Sequence, residues 1–188
     1  MVVNLYVEGH KDLGKGFRSL FREYRLAFQK RDINFRVILC YGIAETRSDW
    51  SKAKAKQPND VHLLLIDSDG PPPKIRRDDE FFMVQEMESW FLAQPEVLAK
   101  YFRQDFNAAA IPGRPVEDIP DPVSVLQLAV KNTKTGRYLK VKHGAELLER
   151  ISLATVREKA PNCDRLLQAL ENLNSRSGTS QRFPSPPR

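Results

Sequence analysis

The 188-residue sequence predicts an α/β fold: a parallel sheet flanked by helices, with a helical C-terminal extension. Three observations carry this. The first 66 residues contain three short, almost continuously apolar runs, as strands buried on both faces require. Helical stretches separate those runs, giving β-α-β-α-β order. Beyond residue 80 the pattern turns predominantly helical.

Taken in order, VVNLYV (2–7) reads as the first strand. Residues 13–31 read as one helix, because Phe17, Leu20, Phe21, Tyr24, Ala27 and Phe28 recur at three- and four-residue spacing. INFRVILCYG (33–42) is the second strand, 44–56 a more polar helix, and Pro58-Asn59-Asp60 a turn. VHLLLI (61–66) is the third strand. FFMVQEMESWFLAQ (81–94) reads as an apolar helix, and Pro95 opens a short one to about Phe102. A Pro- and Gly-containing loop at 111–122 precedes helices over 123–132, 143–151 and 161–174. The domain reading is an α/β domain over 1–102, a helical extension over 103–174 packed on it, and a disordered basic tail over 175–188. There is no internal repeat.

The net charge is +6, but Arg176, Arg182 and Arg188 of the Ser/Pro-rich tail supply half of it. Global charge therefore says little about partners, and local clustering matters more. No apolar run is long enough for a membrane span, and the N-terminus lacks a signal-peptide pattern, so the chain is expected to begin near Met1. Cys40 and Cys163 have no second ligand at metal spacing, which argues against a disulfide framework or structural zinc and fits a cytoplasmic protein.

The chemistry gathers at strand ends. In a parallel α/β sheet, ligands bind beyond the carboxyl ends of the strands. The first strand runs into Glu8-Gly9 with Asp12 four residues on; the third runs into Asp67-Ser68-Asp69-Gly70. Taken singly, Asp-x-Asp-Gly is an ordinary turn and Glu8 an ordinary carboxylate at a helix start. If the first and third strands are neighbours, however, Glu8, Asp12, Asp67 and Asp69 converge, and such hard oxygen donors suit Mg²⁺ or Mn²⁺.

Four further features accompany the acids. Lys11, Lys15, Arg18, Arg22 and Arg25 form a basic stripe on the first helix, either a solvated face or a path for a phosphate backbone. Glu88 falls at the edge of the apolar face of the 81–94 helix, with Glu86 turned to solvent. It is read as a catalytic or metal-site carboxylate, or as the partner of Arg76 or Arg77. Tyr138, Lys140, Lys142 and His143 cluster before a helix, where the lysines could meet phosphate or simply face water. His10 and His143 are proton-transfer candidates without an orienting partner in the sequence. Trp90 and Phe91 are read as core.

Glu-Gly after the first strand, followed by Asp-x-Asp-Gly after the third, resembles the TOPRIM domain of topoisomerases, bacterial primases, ribosomal-RNA maturation nucleases and OLD-type nucleases. The resemblance covers about residues 1–100. Asp12 stands at the second acid of a Glu-Gly-x-x-Glu pattern, one methylene shorter. MVQEMESWFLAQPE and YLKVKHGAELLERI resemble a bacterial family catalogued only as a domain of unknown function. Its members look TOPRIM-like and often accompany ABC- or SMC-type ATPases in phage-defence cassettes. The resemblance implies a Mg²⁺-dependent nuclease, with Asp67 and Asp69 holding metal and Glu8 either completing the shell or acting as general acid/base. It also implies nucleic acid and an ATPase as partners, and it is compatible with a homodimer. The chain has no room for a topoisomerase tyrosine domain, and its cysteines cannot form a primase zinc module. Two other functions fit the same residues: a catalytically silent nucleic-acid or ATPase-docking module, and an RNA-maturation nuclease.

Overall fold

A computed structural model describes residues 1–175; the tail expected at the C-terminus lies, from residue 176 on, outside the described residues. Four strands, β1 (Val2–Glu8), β2 (Asn34–Cys40), β3 (Val61–Asp67) and β4 (Glu80–Met83), form an all-parallel sheet of order β2-β1-β3-β4. The chain leaves β1 in one direction to reach β2 and returns past it to β3. A topological switch point therefore lies between the carboxyl ends of β1 and β3.

Alternation along the strands divides the core in two. Val3, Leu5, Val7, Leu63, Leu65, Phe81 and Met83 face the larger cluster. There they meet α1 (Gly14–Leu20), α2 (Arg22–Gln29) and the C-terminal helices α4 (Glu88–Leu92), α5 (Pro95–Phe102), α6 (Pro122–Val130), α7 (Lys140–Leu148), α8 (Leu153–Lys159) and α9 (Pro161–Ser175). Tyr6, Leu64, Ile66 and Phe82 face the other side, which α3 (Gly42–Lys56) covers through Trp50. The helical C-terminal region thus shares one apolar core with the sheet's first face. Among the described residues no helix is long and apolar enough to cross a membrane.

Several elements differ from the sequence expectation. The single helix over 13–31 becomes a 3₁₀ turn (Lys11–Leu13) followed by α1 and α2, which are separated at Phe21 (ψ 14°), whose ring lies 6.3 Å from that of Phe35. The expected 81–94 helix is a strand followed by a short helix. Glu80–Met83 pairs with β3, Gln85 takes a positive φ of 64°, and only Glu88–Leu92 is α-helical. A run of four apolar residues buried on both faces carries no period that separates strand from buried helix. The helix expected from residue 143 begins at Lys140, and the two-turn α8 has too few apolar positions to show a period.

One close contact fixes α7. At Gly16 of α1 a Cβ would come within 2.5 Å of the Ala145 carbonyl oxygen, so only glycine lets the two helices approach this closely. That contact holds the start of α7 beside the carboxyl edge of the sheet.

Candidate active site

Glu8 and Asp67 end adjacent strands, and each uses one oxygen to fix the site. Glu8 Oε2 accepts a hydrogen bond from the Asp67 backbone N–H at 3.1 Å. Asp67 Oδ1 accepts one from the backbone N–H of Met87 at 2.9 Å. Glu88, with no exposed surface, stands at the start of α4, where its Oε1 accepts a hydrogen bond from the Tyr138 hydroxyl at 2.8 Å. Three carboxylates are thereby oriented by backbone and tyrosine, and each keeps a second oxygen. That of Glu88, Oε2, is buried and has no hydrogen-bond partner among the described residues.

Lys140 occupies the centre. Its Nζ lies 2.7 Å from Glu86 Oε2, 3.3 Å from Glu88 Oε2 and 3.5 Å from Asp67 Oδ2. One ammonium thus faces three carboxylates, with Glu8 beside them. Burial pushes the Asp67 carboxyl well above its ordinary value, against the pull of Lys140 and with further upward pressure from Glu88 and Glu8. Burial likewise raises Glu88, opposed by Lys140 and the Tyr138 hydroxyl. Glu8 is raised by burial, and the Asp67 N–H partly offsets this. Burial works to lower Lys140, but the surrounding carboxylates win and hold it above the usual lysine range.

The other expected site residues fall as follows. Asp69 is exposed, with a positive φ of 48°, just beyond β3, close enough for its charge to raise Glu8. Asp12 stays on the 3₁₀ turn, where its N–H and carboxylate both lie 3.3 Å from His10 Nδ1. His10 thus gains the orienting partner that the sequence did not reveal. Glu86, expected in solvent, is drawn onto Lys140, because residues 84–87 are a turn rather than helix. Glu88 pairs with Lys140 and Tyr138, not with Arg76 or Arg77; Arg76 bonds Asn162, and Arg77 approaches Asp79. His143 is buried against Tyr101, Phe102 and Tyr138 and accepts the Leu139 N–H at 2.9 Å, a capping role at the start of α7. Lys142 is exposed. Of the basic stripe, Lys15 pairs with Glu149 at 2.9 Å. Lys11, Arg18, Arg22 and Arg25 are exposed and form no ion pair among the described residues. Trp90 and Phe91 are wholly buried.

Sequence reasoning missed the roles of Tyr138, Glu86 and the Met87 N–H. The signal for Glu86 was its place two residues before Glu88, which a turn, unlike a helix, can aim at the same point. The donor set is hard oxygen, and Glu88 Oε2, which has no hydrogen bond, already faces a cation in the Lys140 ammonium. Among the described residues, however, no three His, Cys, Asp or Glu side chains surround a common metal position. The free oxygens of Asp67 and Glu88 gather about the Lys140 ammonium instead.

A model of the family described as "Domain of unknown function (DUF4276)" matches residues 76–171, just over half of the chain and the segment holding Glu86, Glu88, Tyr138 and Lys140. No curated protein and no solved structure matches the chain.

Proposed function

The chain belongs to the DUF4276 family, whose description names no activity, and from the site itself we propose that it is a divalent-metal-dependent nuclease of TOPRIM-like kind. The observation carrying this reading is the set of pre-oriented carboxylates at the β1/β3 switch point, where Glu8, Asp67 and Glu88 each spend one oxygen on orientation and keep the other. A purely structural cluster would match each buried acid with a cation, whereas here three acids share one lysine.

Asp67 and Glu88, whose free oxygens face one point at Lys140 Nζ, are the residues that would hold Mg²⁺ or Mn²⁺, with Glu8 and Asp69 at the rim. When bound, the metal would polarise the scissile phosphate and stabilise charge on the attacking and leaving oxygens. The chain's own part is positional. The Met87 and Asp67 N–H groups and the Tyr138 hydroxyl keep the carboxylates from rotating away. Exposed Lys11, Lys142, Arg18 and Arg22 supply positive charge for a phosphate backbone approaching the sheet edge. Glu8, less buried than Glu88, is placed to exchange a proton with an attacking water. DNA is the first substrate to test and RNA the second. An ABC- or SMC-type ATPase partner and a role in phage defence belong to the same proposal, on the resemblance alone.

A second reading has its own support. The ammonium at the centre favours a silent nucleic-acid-docking module whose acids are neutralised by Lys140. Cleavage of plasmid and structured RNA by the purified chain, with Mg²⁺, with Mn²⁺ and with EDTA, separates the two. Metal-dependent cleavage that disappears in Asp67→Ala and Glu8→Ala supports the nuclease. Cleavage that survives both substitutions sinks it, and nucleic-acid binding without cleavage, with or without an added ATPase partner, favours the docking module.

A further inference from the structure

We infer that the loop between α6 and α7, residues 131–137, is a docking surface for the phosphate backbone of a nucleic acid, beside the carboxylate site. This rests on the nucleic-acid part of the reading above, which the nuclease and the docking module share, and not on metal binding.

The charge on this stretch has one sign. From Pro122 to Ala145 the chain contains Lys131, Lys134, Arg137, Lys140 and Lys142, and no Asp or Glu. Lys131, Lys134 and Arg137 are exposed, and none forms an ion pair or side-chain hydrogen bond among the described residues. Other basic stretches are compensated. Glu23 interrupts the stripe on the first helices, and Lys15 pairs with Glu149. Lys74, Arg76 and Arg77 are followed by Asp78 and Asp79, and Arg76 is held by Asn162. Acids on the segments around the loop are engaged or offset. Glu86 holds Lys140, and Glu146 accepts from the Tyr101 hydroxyl at 2.9 Å. The segment tied to the end of α6 by the Asn107 N–H on the Ala129 carbonyl carries Arg103 along with Asp105. The groove along α7 that Asp12, Glu146 and Glu149 line is not part of this surface.

The loop is held in shape from within. The N–H and hydroxyl of Thr133 both donate to the Val130 carbonyl, at 3.0 and 2.8 Å. The Gly136 N–H donates to the Thr133 carbonyl at 2.9 Å, and Gly136 turns the chain at a φ of 69°. Gln127 clamps both backbone groups of Tyr138, at 2.7 and 2.9 Å. A turn fixed in this way loses little freedom on binding, so less of the attraction is offset by ordering. Asn132 and Thr135, exposed between the cations, add neutral hydrogen-bonding groups of the kind that contact phosphate and sugar.

The loop also opens directly on the site. Arg137 immediately precedes Tyr138, whose hydroxyl holds Glu88 at 2.8 Å, and Lys140 reaches Asp67 and Glu86. Lys134 stands four residues before Tyr138, so their Cα atoms are at most about 14 Å apart. That span covers no more than about four nucleotides of one strand. A row of unpaired cations ending at a group of acids suits a polymer of phosphodiesters, gripped along its backbone and presented at one linkage.

The test is fluorescence anisotropy of labelled duplex DNA and structured RNA in EDTA, over about 50 to 200 mM salt. Wild type is compared with the loop triple Lys131→Gln, Lys134→Gln, Arg137→Gln and with a control triple of equal charge loss, Lys30→Gln, Lys52→Gln, Lys56→Gln, each checked for native circular dichroism. The loop triple should bind at least about tenfold more weakly and lower the salt slope by about 2–3, while the control lowers it by less than about 1. Equal losses in the two triples, an unchanged slope in the loop triple, or absence of nucleic-acid binding by wild type overturns the inference. Wild-type binding of polyglutamate as tight as that of the oligonucleotides also overturns it, and assigns the loop to an acidic protein. Metal-dependent hydrolysis of bis(p-nitrophenyl) phosphate, too small to span the loop, reports on the other reading. If wild type hydrolyses no phosphodiester while the loop triple loses nucleic-acid binding, the nuclease reading fails and this inference stands.

Discussion

Two buried glutamates on one short segment, Glu80 and Glu88, stand in opposite electrostatic settings. Glu80 opens β4 and points toward α3, where its carboxylate pairs with Arg47; Arg165 donates to its carbonyl oxygen at 2.8 Å. Lys54 and Asp79 pair alongside. Cations there equal or outnumber the acids, and the pairs join α3 and α9 to the edge of the sheet. Glu88 sits beyond the other end of β4, in a group where Asp67, Glu86 and Glu88 share Lys140, with Glu8 beside them. The first arrangement is an ion pair that joins elements. The second sets several acids around one lysine, and burial raises the carboxyls of Asp67, Glu88 and Glu8, as at sites for cations and proton transfer.

That contrast can be broken most severely at the strand end. Asp67→Asn should lower metal-dependent cleavage about 10²–10³-fold, the scale for loss of a group that stabilises transition-state charge, with circular dichroism unchanged. Glu80→Gln should leave cleavage per folded molecule near the wild-type rate. A comparable loss in both variants would erase the distinction between the two glutamates.

Stability should respond the other way. Arg47→Ala leaves the Glu80 charge without its partner and should cost roughly 2–3 kcal/mol in urea unfolding, somewhat below the range for a wholly buried pair because Arg47 is 42% exposed. Glu88→Gln retains an acceptor for Tyr138 and removes a buried charge, and should raise the stability of metal-free protein by about 1 kcal/mol at neutral pH. Because the folded-state pKa of Glu88 is raised, its wild-type contribution is full below the ordinary glutamate pKa and is lost as pH rises through the folded value. The advantage of Glu88→Gln should therefore grow with rising pH and fade in acid; an advantage that is constant across pH would assign it to packing instead. The smallest effect is expected on the first helices. Charge reversal at Arg18 and Arg22 should weaken oligonucleotide binding several-fold and reduce the salt slope by about 1–2, and an unchanged slope would return these residues to an ordinary solvated face.

The comparison also marks how far the sequence could be read. β1, β2 and β3 were legible because each is a compact apolar run ended by Gly or Asp, whereas the pairing of β1 with β3 that brings Glu8 beside Asp67 was a condition that β-α-β connectivity left open and the structure meets. β4 was not legible, because only Gln85 and Glu86 separate FFMV from MESWFLA, and the whole stretch reads as one amphipathic run although it passes through a strand, a turn and a helix. Misreading 81–94 as one helix sent Glu86 to solvent and left Glu88 looking for an arginine. Tyr138 was visible only as a residue, and Lys140 was expected to meet phosphate, not to stand among the carboxylates. Their approach depends on α7 crossing α1 at Gly16, a long-range packing event with no local periodicity. Asp12 illustrates the limit from the other side: its spacing from Glu8 suggested a shared ligand, while in the fold its contacts are with His10.

The central claim is that the carboxyl ends of β1 and β3 form a divalent-cation site, and thermal unfolding with and without Mn²⁺ tests it most directly. At a hundredfold excess over the dissociation constant, binding should add about 2.7 kcal/mol to wild type, a rise in Tm of about 5–10 °C for a chain of this size. Asp67→Asn should show little or none of that rise. Equal shifts in the two proteins, or none in wild type at millimolar Mn²⁺, would contradict the account.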